Sequence, residues 1–332
     1  MKVTITGGAG YIGSLLTGVL LDSGHEVTVL DSLLFGGESI LPYFSQRRFH
    51  FAKMDVADAD LTPYLKGVDA VVHLAALVGF PACQRAGKEE SWRVNYEGVK
   101  KALAAAERAG VQRLIFSSTY SNYGVSPNGQ PVTEESPLYP QSVYAETKIA
   151  AEEYLREQAK HSPCVPLIFR FATLYGISPR TRFDLMVNQF VLEAITTHQL
   201  LIYQRNYSRS FVHVRDIVRA ICLGLEAPEE RIRGEIFNVG RNDGNYTKEE
   251  LAQFVQKHVP GTEVIYKDMA FDGDMRDIRV SFDKIGQRLG FRAQIGMEEG
   301  IQEVRDALLS GLISGPFNDR YRNAPSLLKG KQ

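Results

Sequence analysis

A strand-like run, Lys2–Thr6, ends in Gly7-Gly8-Ala9-Gly10-Tyr11-Ile12-Gly13, and an amphipathic helical pattern occupies residues 11–23. The glycines satisfy two spacings at once, G-x-G-x-x-G from Gly8 and G-x-x-G-x-x-G from Gly7. Glycine is needed there because the turn is tight, a pyrophosphate must approach bare backbone, and the helix must press on the strand. The helix N-terminus adds unpaired N–H groups and a partial positive charge for phosphate oxygens. A second strand, Glu26–Asp31, completes the unit and ends in an acid. A carboxylate there accepts hydrogen bonds from a ribose 2′-hydroxyl and repels a 2′-phosphate, so the unit is expected to bind NAD rather than NADP.

Further strands are expected at 49–55, 69–76, 113–118 and Val165–Phe171, several of them nearly continuous apolar runs. Such runs suit parallel strands covered on both faces. Helical patterns lie between them, notably at 89–108 and 142–160, and Gly24 and Gly110 sit where helix ends favour a left-handed residue. This alternation specifies an α/β fold: a Rossmann-type, doubly wound parallel sheet over residues 1–176. Residues 177–332 read mainly as a smaller, mixed C-terminal lobe that binds substrate, with elements near 215–240 returning to the main sheet. In that half, helices are expected near 183–196, 215–225, Lys248–His258 and 297–313, and strands near 200–203, 209–214 and 235–239. The tail after Gly315 lacks apolar periodicity and is expected to be loosely ordered.

Hydrophobic residues make up 44% of the 332 positions and charged residues 23%, as in ordinary globular chains. The net charge of −1 implies no polyanion-binding surface, so no nucleic acid partner is expected. Three scattered cysteines form neither a disulfide framework nor a zinc site, and seven histidines show no ligand spacing, so no metal is expected. No signal-peptide pattern opens the chain and no run approaches the ~18–20 apolar residues of a membrane span. A reduced, cytoplasmic setting without a membrane is the expectation.

The strand at 113–118 delivers Ser117, Ser118 and Thr119, and Tyr144-Ala145-Glu146-Thr147-Lys148 follows on a helical pattern. Tyr144 and Lys148, four residues apart, share a helix face and are displaced by about 6 Å along the axis. A free tyrosine, with a pKa of about 10, is a poor base at neutral pH. A lysine cation and an oxidised nicotinamide, each about 5 Å away, favour the phenolate by about 3 kcal/mol apiece at an effective dielectric of about 20. The phenol can then exchange a proton with a substrate hydroxyl while hydride moves, and Thr119 can hydrogen-bond the same oxygen. A second Tyr-x-x-x-Lys match, Tyr96/Lys100, follows no strand that ends in Ser or Thr and reads as ordinary helix packing.

Together these features resemble the extended short-chain dehydrogenase/reductase family, particularly its nucleotide-sugar epimerases, dehydratases and decarboxylases. The likeness runs through TGGAGYIG, HLAA at 73–76, VNYEG at 94–98, FSSTYSNYG at 116–124 and YAETK. It continues through RFATLYG at 170–176, RSFVHVRD at 209–216 and the late stretch GDMRDIRVSFDKI. The resemblance gives Thr119, Tyr144 and Lys148 the catalytic roles. It places the dinucleotide on Gly7, Gly10, Tyr11, Ile12, Gly13, Asp31, Asp55, Val56, Leu74, Ala75, Ala76, Ser117, Tyr144 and Lys148, with Asn95 supporting the active-site helix. Asp55, closing the third strand, either reaches the adenine amino group or is a solvated strand-end acid. Arg209 and Arg276 match the arginines that hold a nucleotide diphosphate, and Thr119, Tyr144 and Asn188 would contact the sugar nucleotide. Arg182 and Asp184 stand at substrate-contacting positions with unusual identities, and Ala172 replaces a frequent asparagine. The resemblance also implies a homodimer, paired through the helices at 96–108 and 144–160, whose alanines permit close approach.

Related 4,6-dehydratases carry an Asp-Glu pair after the catalytic threonine; here those positions hold Tyr120 and Ser121. The glutamate usual in decarboxylases is absent from that region as well. An NAD-dependent epimerase of a nucleotide-diphosphate sugar, acting at C4 through a 4-keto intermediate, needs neither. A 4-ketoreductase needs the same residues and stays open, as does a non-catalytic NAD-binding relative, which would be expected to lack the intact Thr/Tyr/Lys set.

Overall fold

The computed structural model describes residues 1–126, 129–267 and 277–324. Among the described residues twelve strands are formed: β1 Lys2–Thr6, β2 Glu26–Asp31, β3 Phe49–Lys53, β4 Ala70–His73, β5 Arg113–Thr119, β6 Val165–Phe171, β7 Thr173–Tyr175, β8 Gln199–Tyr203, β9 Ser208–His213, β10 Ile236–Val239, β11 Asn245–Thr247 and β12 Glu263–Lys267. Seven of them make one sheet in the order β10-β6-β5-β4-β1-β2-β3, with every neighbouring pair parallel. All seven residues of β6 are buried, which explains why its sequence reads as an unbroken apolar run apart from Arg170.

From β1 the chain winds outward through β2 and β3, then crosses back to β4 and winds the other way through β5, β6 and β10. The carboxyl ends of β1 and β4 therefore lead to opposite sides, and a crevice opens between them. Strand β10 comes from the second half of the chain, as expected for the segment near 215–240, and helix Val214–Glu226 packs against helix Tyr11–Asp22.

The C-terminal lobe holds a three-stranded sheet, β11-β9-β7, and a parallel pair, β12-β8. Helices Met186–Thr197, Lys248–His258 and Met297–Leu309 enclose an apolar cluster that includes Phe183, Val191, Leu200, Leu251 and Ile301. Helix Lys248–His258 opens on a complete capping box, Thr247 with Glu250. Two N-terminal N–H groups are satisfied there before the helix meets its neighbours. No helix among the described residues is long and apolar enough to cross a membrane.

Three expectations need correction. The third and fourth strands stop at Lys53 and His73, earlier than their apolar patterns. The helix expected over 89–108 is three pieces, Lys88–Trp92, a π-helical turn Arg93–Glu97, and Gly98–Ala109. Apolar periodicity cannot register one extra residue per turn, and such turns concentrate at functional sites. The tail is anchored as far as it is described: Asn323 donates to Asp184 at 2.8 Å, Phe183 donates to the Tyr321 carbonyl at 2.9 Å, and the Phe183 and Tyr321 rings meet edge to face.

A Cβ on Gly13 would lie 2.4 Å from the Gly7 carbonyl oxygen and 2.6 Å from the Gly8 Cα, both backbone atoms. Gly13→Ala should therefore destabilise the protein by about 1–3 kcal/mol. Denaturant unfolding of the two forms measures this; equal midpoints and slopes would contradict it.

Candidate active site

The crevice is built on missing side chains. A Cβ on Gly7, whose φ is +73°, would come within 2.7 Å of the Ala75 nitrogen, so the end of β1 and the loop after β4 touch through bare backbone. A Cβ on Gly10 would stand 3.1 Å from the Gly7 oxygen. No side chain caps helix Tyr11–Asp22 at Gly10, which leaves its first N–H groups to an outside acceptor. Ile12, Leu74, Ala75 and Ala76 are half-buried around this turn. Tyr11 is buried and donates to the Gly176 carbonyl at 2.7 Å, tying the helix to the C-terminal lobe.

Asp31 Oδ2 accepts from Ala9 N at 3.0 Å and Oδ1 from Leu33 N at 2.8 Å. Burial raises its carboxyl above the ordinary value, against the lowering effect of those two N–H groups and of Arg180. A carboxylate has about four lone-pair positions, so two contacts leave acceptors for ribose hydroxyls. Asp55 lies past the end of β3, where it accepts from Ala57 N at 2.9 Å and pairs with Arg93 at 3.0 Å. Val56 beside it is buried in the core.

The second cluster forms where β5 meets helix Val143–Gln158. Ser142 Oγ accepts from Ala145 N at 3.2 Å, an N-cap contributing about 1 kcal/mol. Tyr144, Lys148 and Glu152 then recur every four residues on one face. Lys148 is 1% exposed, and its Nζ donates to the Ser117 carbonyl at 2.8 Å, lying 4.5 Å from the Phe116 ring centre and 6.0 Å from that of Tyr144. Burial brings the Lys148 ammonium down to about 8, with Cys83 and Glu152 pulling the other way. Thr119, at the end of β5, is nearly buried, and its Oγ1 accepts from Ser121 N at 3.1 Å. Its hydroxyl proton is left to donate.

The π-helical turn carries Asn95 inward. Its amide accepts from Leu77 N at 2.8 Å, donates to the Leu77 carbonyl at 3.0 Å, and reaches Thr147 Oγ1 at 3.2 Å on the active-site helix. His73, at the end of β4, bonds Thr6 Oγ1 at 3.0 Å, and burial, reinforced by Lys148, pushes its pKa down to about 3. It is a neutral neighbour. Tyr96 packs edge to face with Trp92 and Tyr154, and Lys100 lies over its ring and pairs with Glu97 at 3.0 Å.

Sequence reasoning missed a buried polar network beneath the cluster. Glu152 and Arg170 are 2% and 3% exposed and pair at 2.6 Å. Breaking such a pair by removing one partner costs about 3–5 kcal/mol. The only sequence signals were the four-residue step from Lys148 to Glu152 and an arginine in an otherwise apolar strand.

On the substrate side, Arg209 is buried in β9 and donates to the Ser208 carbonyl at 2.9 Å. Asn188 spends its amide on the main chain, accepting from Gly176 N at 3.0 Å and donating to the carbonyls of Gly176 and Arg182 at 3.0 and 2.8 Å. Arg182 and Asp184 pair with each other at 2.9 Å. Ala172 donates its backbone N–H to Val239. Tyr120 is buried with its hydroxyl 2.7 Å from Thr173 Oγ1. Arg276 lies outside the described residues.

A model of the NAD-dependent epimerase/dehydratase family matches residues 3–240. A UDP-glucose 4-epimerase of Corynebacterium glutamicum is 30% identical over 88% of this chain and 90% of its own length. A dTDP-glucose 4,6-dehydratase of Streptomyces niveus is also 30% identical, over 92% and 91%. Among solved structures, a dTDP-glucose 4,6-dehydratase from Streptomyces venezuelae with NAD and TYD bound superposes with a TM-score of 0.82 at 30% identity, over 94% of this chain and 98% of that one. Epimerase and dehydratase relatives are equally near, so overall likeness does not choose between the two chemistries.

Replacing Asp31 by Ala should weaken NAD binding by about 1.5–3 kcal/mol, the worth of hydrogen bonds to a charged group, and narrow the preference over NADP. Calorimetry on the stripped protein reads both; tighter binding of NADP than NAD by the unmodified chain would overturn the role given to Asp31.

Proposed function

The chain belongs to the NAD-dependent epimerase/dehydratase family, and on that premise we propose that it inverts a hydroxyl-bearing carbon of a nucleotide-diphosphate sugar, at C4, through a transient 4-keto sugar. The observation that carries this reading is a Thr119, Tyr144 and Lys148 set followed by Tyr120, Ser121 and Asn122, with no carboxylate among those three. Tyr120 is held against Thr173, and neither a tyrosine in that setting nor Ser121 suits the removal of a C5 proton and the protonation of a departing hydroxyl.

The residues present fit the cofactor. The cradle that a Cβ at Gly7, Gly10 or Gly13 would fill accommodates a pyrophosphate, and Asp31 keeps acceptor capacity for the adenosine ribose. Lys148 retains two N–H donors beyond its bond to Ser117 and would hold the nicotinamide ribose with them. Bound NAD supplies a hydride acceptor next to the sugar and the source of the same hydride on return.

Tyr144 removes the hydroxyl proton as the carbon is oxidised, and gives a proton back after the keto sugar has turned over. Lys148 favours the tyrosinate through its charge, which is present below about pH 8 and lost above it. Thr119 donates its hydroxyl proton to the sugar oxygen and steadies it. Arg209, together with Arg276, supplies guanidinium groups suited to the diphosphate. Asn188 acts by holding the loop at Gly176 and Arg182 in shape.

Incubation with UDP-, GDP-, CDP- and dTDP-sugars, followed by NMR of the products, tests the reading. One pair of C4 epimers should interconvert without added NADH, whereas a 4-ketoreductase would consume NADH stoichiometrically against a keto sugar. Tyr144→Phe should lower turnover by about 10²-fold or more and leave NAD bound; near-normal turnover in that variant would sink the catalytic assignment.

We infer also a homodimer built on helices Gly98–Ala109 and Val143–Gln158. Ala102, Ala105, Ala106, Ala145 and Ala151 are buried inside the chain, and Ala104 and Ala150 keep partial exposure for a partner. Light scattering at micromolar concentration should give twice the mass of one chain, and a monomer would contradict the pairing.

A further inference from the structure

The catalytic reading uses two of the three residues that recur along one face of helix Val143–Gln158. The third, Glu152, is 2% exposed, and its carboxylate is surrounded by donors. Arg170 contributes Nη2 at 2.6 Å and Nε at 3.0 and 3.1 Å, Asn122 contributes Nδ2 at 2.9 Å, and Ser118 donates its hydroxyl. Arg170 in turn donates to Tyr123 at 2.9 Å, and Tyr123 donates to Asn238 on β10 at 2.7 Å. One buried carboxylate thus joins the carboxyl ends of β5, β6 and β10 to the helix that bears Tyr144.

Its grip on β5 has a specific place. Lys148 holds residue 117 through its carbonyl, and Glu152, one turn later, holds residue 118 through its hydroxyl. The next residue is Thr119. We propose that Glu152 is a positioning residue for the reaction, fixing the end of β5 against the active-site helix and placing a carboxylate, paired with Arg170, one turn from Lys148 on the same helix face. The proposal rests on the roles given above to Thr119, Tyr144 and Lys148.

The groups around Lys148 support the second half of this assignment. His73 on β4 is kept neutral by burial, the Phe116 ring on β5 is uncharged, and burial raises the Cys83 thiol on helix Phe80–Ala86. On its own helix, Tyr144 is a neutral phenol until it gives up its proton. Glu152 is the carboxylate whose charge counters the burial of the ammonium.

Two variants of the NAD-loaded protein test this. With lysines labelled at 13Cε and the Lys148 resonance identified by Lys148→Arg, Glu152→Gln should move the Lys148 titration midpoint down by about one pH unit or more. Ser118→Ala leaves the ion pair intact and should not move that midpoint. It should lower kcat roughly tenfold on the nucleotide sugar that the product screen selects, with KM changed less than about twofold, because the bond from Glu152 to the residue before Thr119 is lost. An unchanged midpoint in Glu152→Gln, or an unchanged kcat in folded Ser118→Ala, overturns the proposal. If Glu152→Gln does not fold, the split between kcat and KM in Ser118→Ala decides alone. Turnover retained by Tyr144→Phe would instead defeat the catalytic reading, and the titration would still test the link from Glu152 to Lys148.

Discussion

Lys148 carries its ammonium into the interior of the protein and sets it on the carbonyl of Ser117 at 2.8 Å. Burying a cation is costly unless nearby groups answer it, and much of the surrounding architecture can be read as that answer. Strand β5 presents the carbonyl and the face of Phe116, and Glu152 lies one turn further along the same helix. The compensation is incomplete, because burial still brings the ammonium down to about 8. A cation poised in this way has a larger influence on a neighbouring phenol than a solvated lysine, whose field water would screen.

The glycine-lined crevice depends on the opposite condition, the absence of atoms. At Gly7 the backbone of β1 and the loop after β4 come so close that a single methyl group would collide with Ala75. The two halves of the site, glycine turn and Tyr/Lys helix, are therefore registered to each other by the central strands of one sheet. The C-terminal lobe is fastened to the same frame: Tyr11 bonds the Gly176 carbonyl, and Ser178 donates to the Tyr11 carbonyl at 2.6 Å. Through these two bonds the lobe meets the helix that follows the glycine turn.

The parallel sheet was legible because its strands are buried on both faces and so write continuous apolar runs, β6 most plainly. The glycine turn and the Tyr144/Lys148 step were legible because each needs particular residue types at fixed spacing. What escaped was written by tertiary contact. The π-helical turn at Arg93–Glu97 leaves the apolar pattern of the flanking helix intact and betrays itself only through Asn95 inside a helical stretch. The Glu152–Arg170 pair joins residues 18 positions apart, and the four-residue step from Lys148 puts Glu152 on the inner helix face without naming its partner on β6. The tail resembled a loose end because its anchors are polar bonds to Asp184 and Arg180 and the single ring of Tyr321 on Phe183, which leave no repeating apolar pattern.

Turnover in deuterated water examines the central claim most directly. Inversion at C4 by removal and return of one hydride exchanges no carbon-bound hydrogen with solvent, so the product sugar should carry no deuterium on any carbon by NMR and mass spectrometry. Deuterium on a ring carbon, as at C5 when a proton removed there is replaced from water, would mean that the chain removes a proton from carbon, and would contradict the assignment.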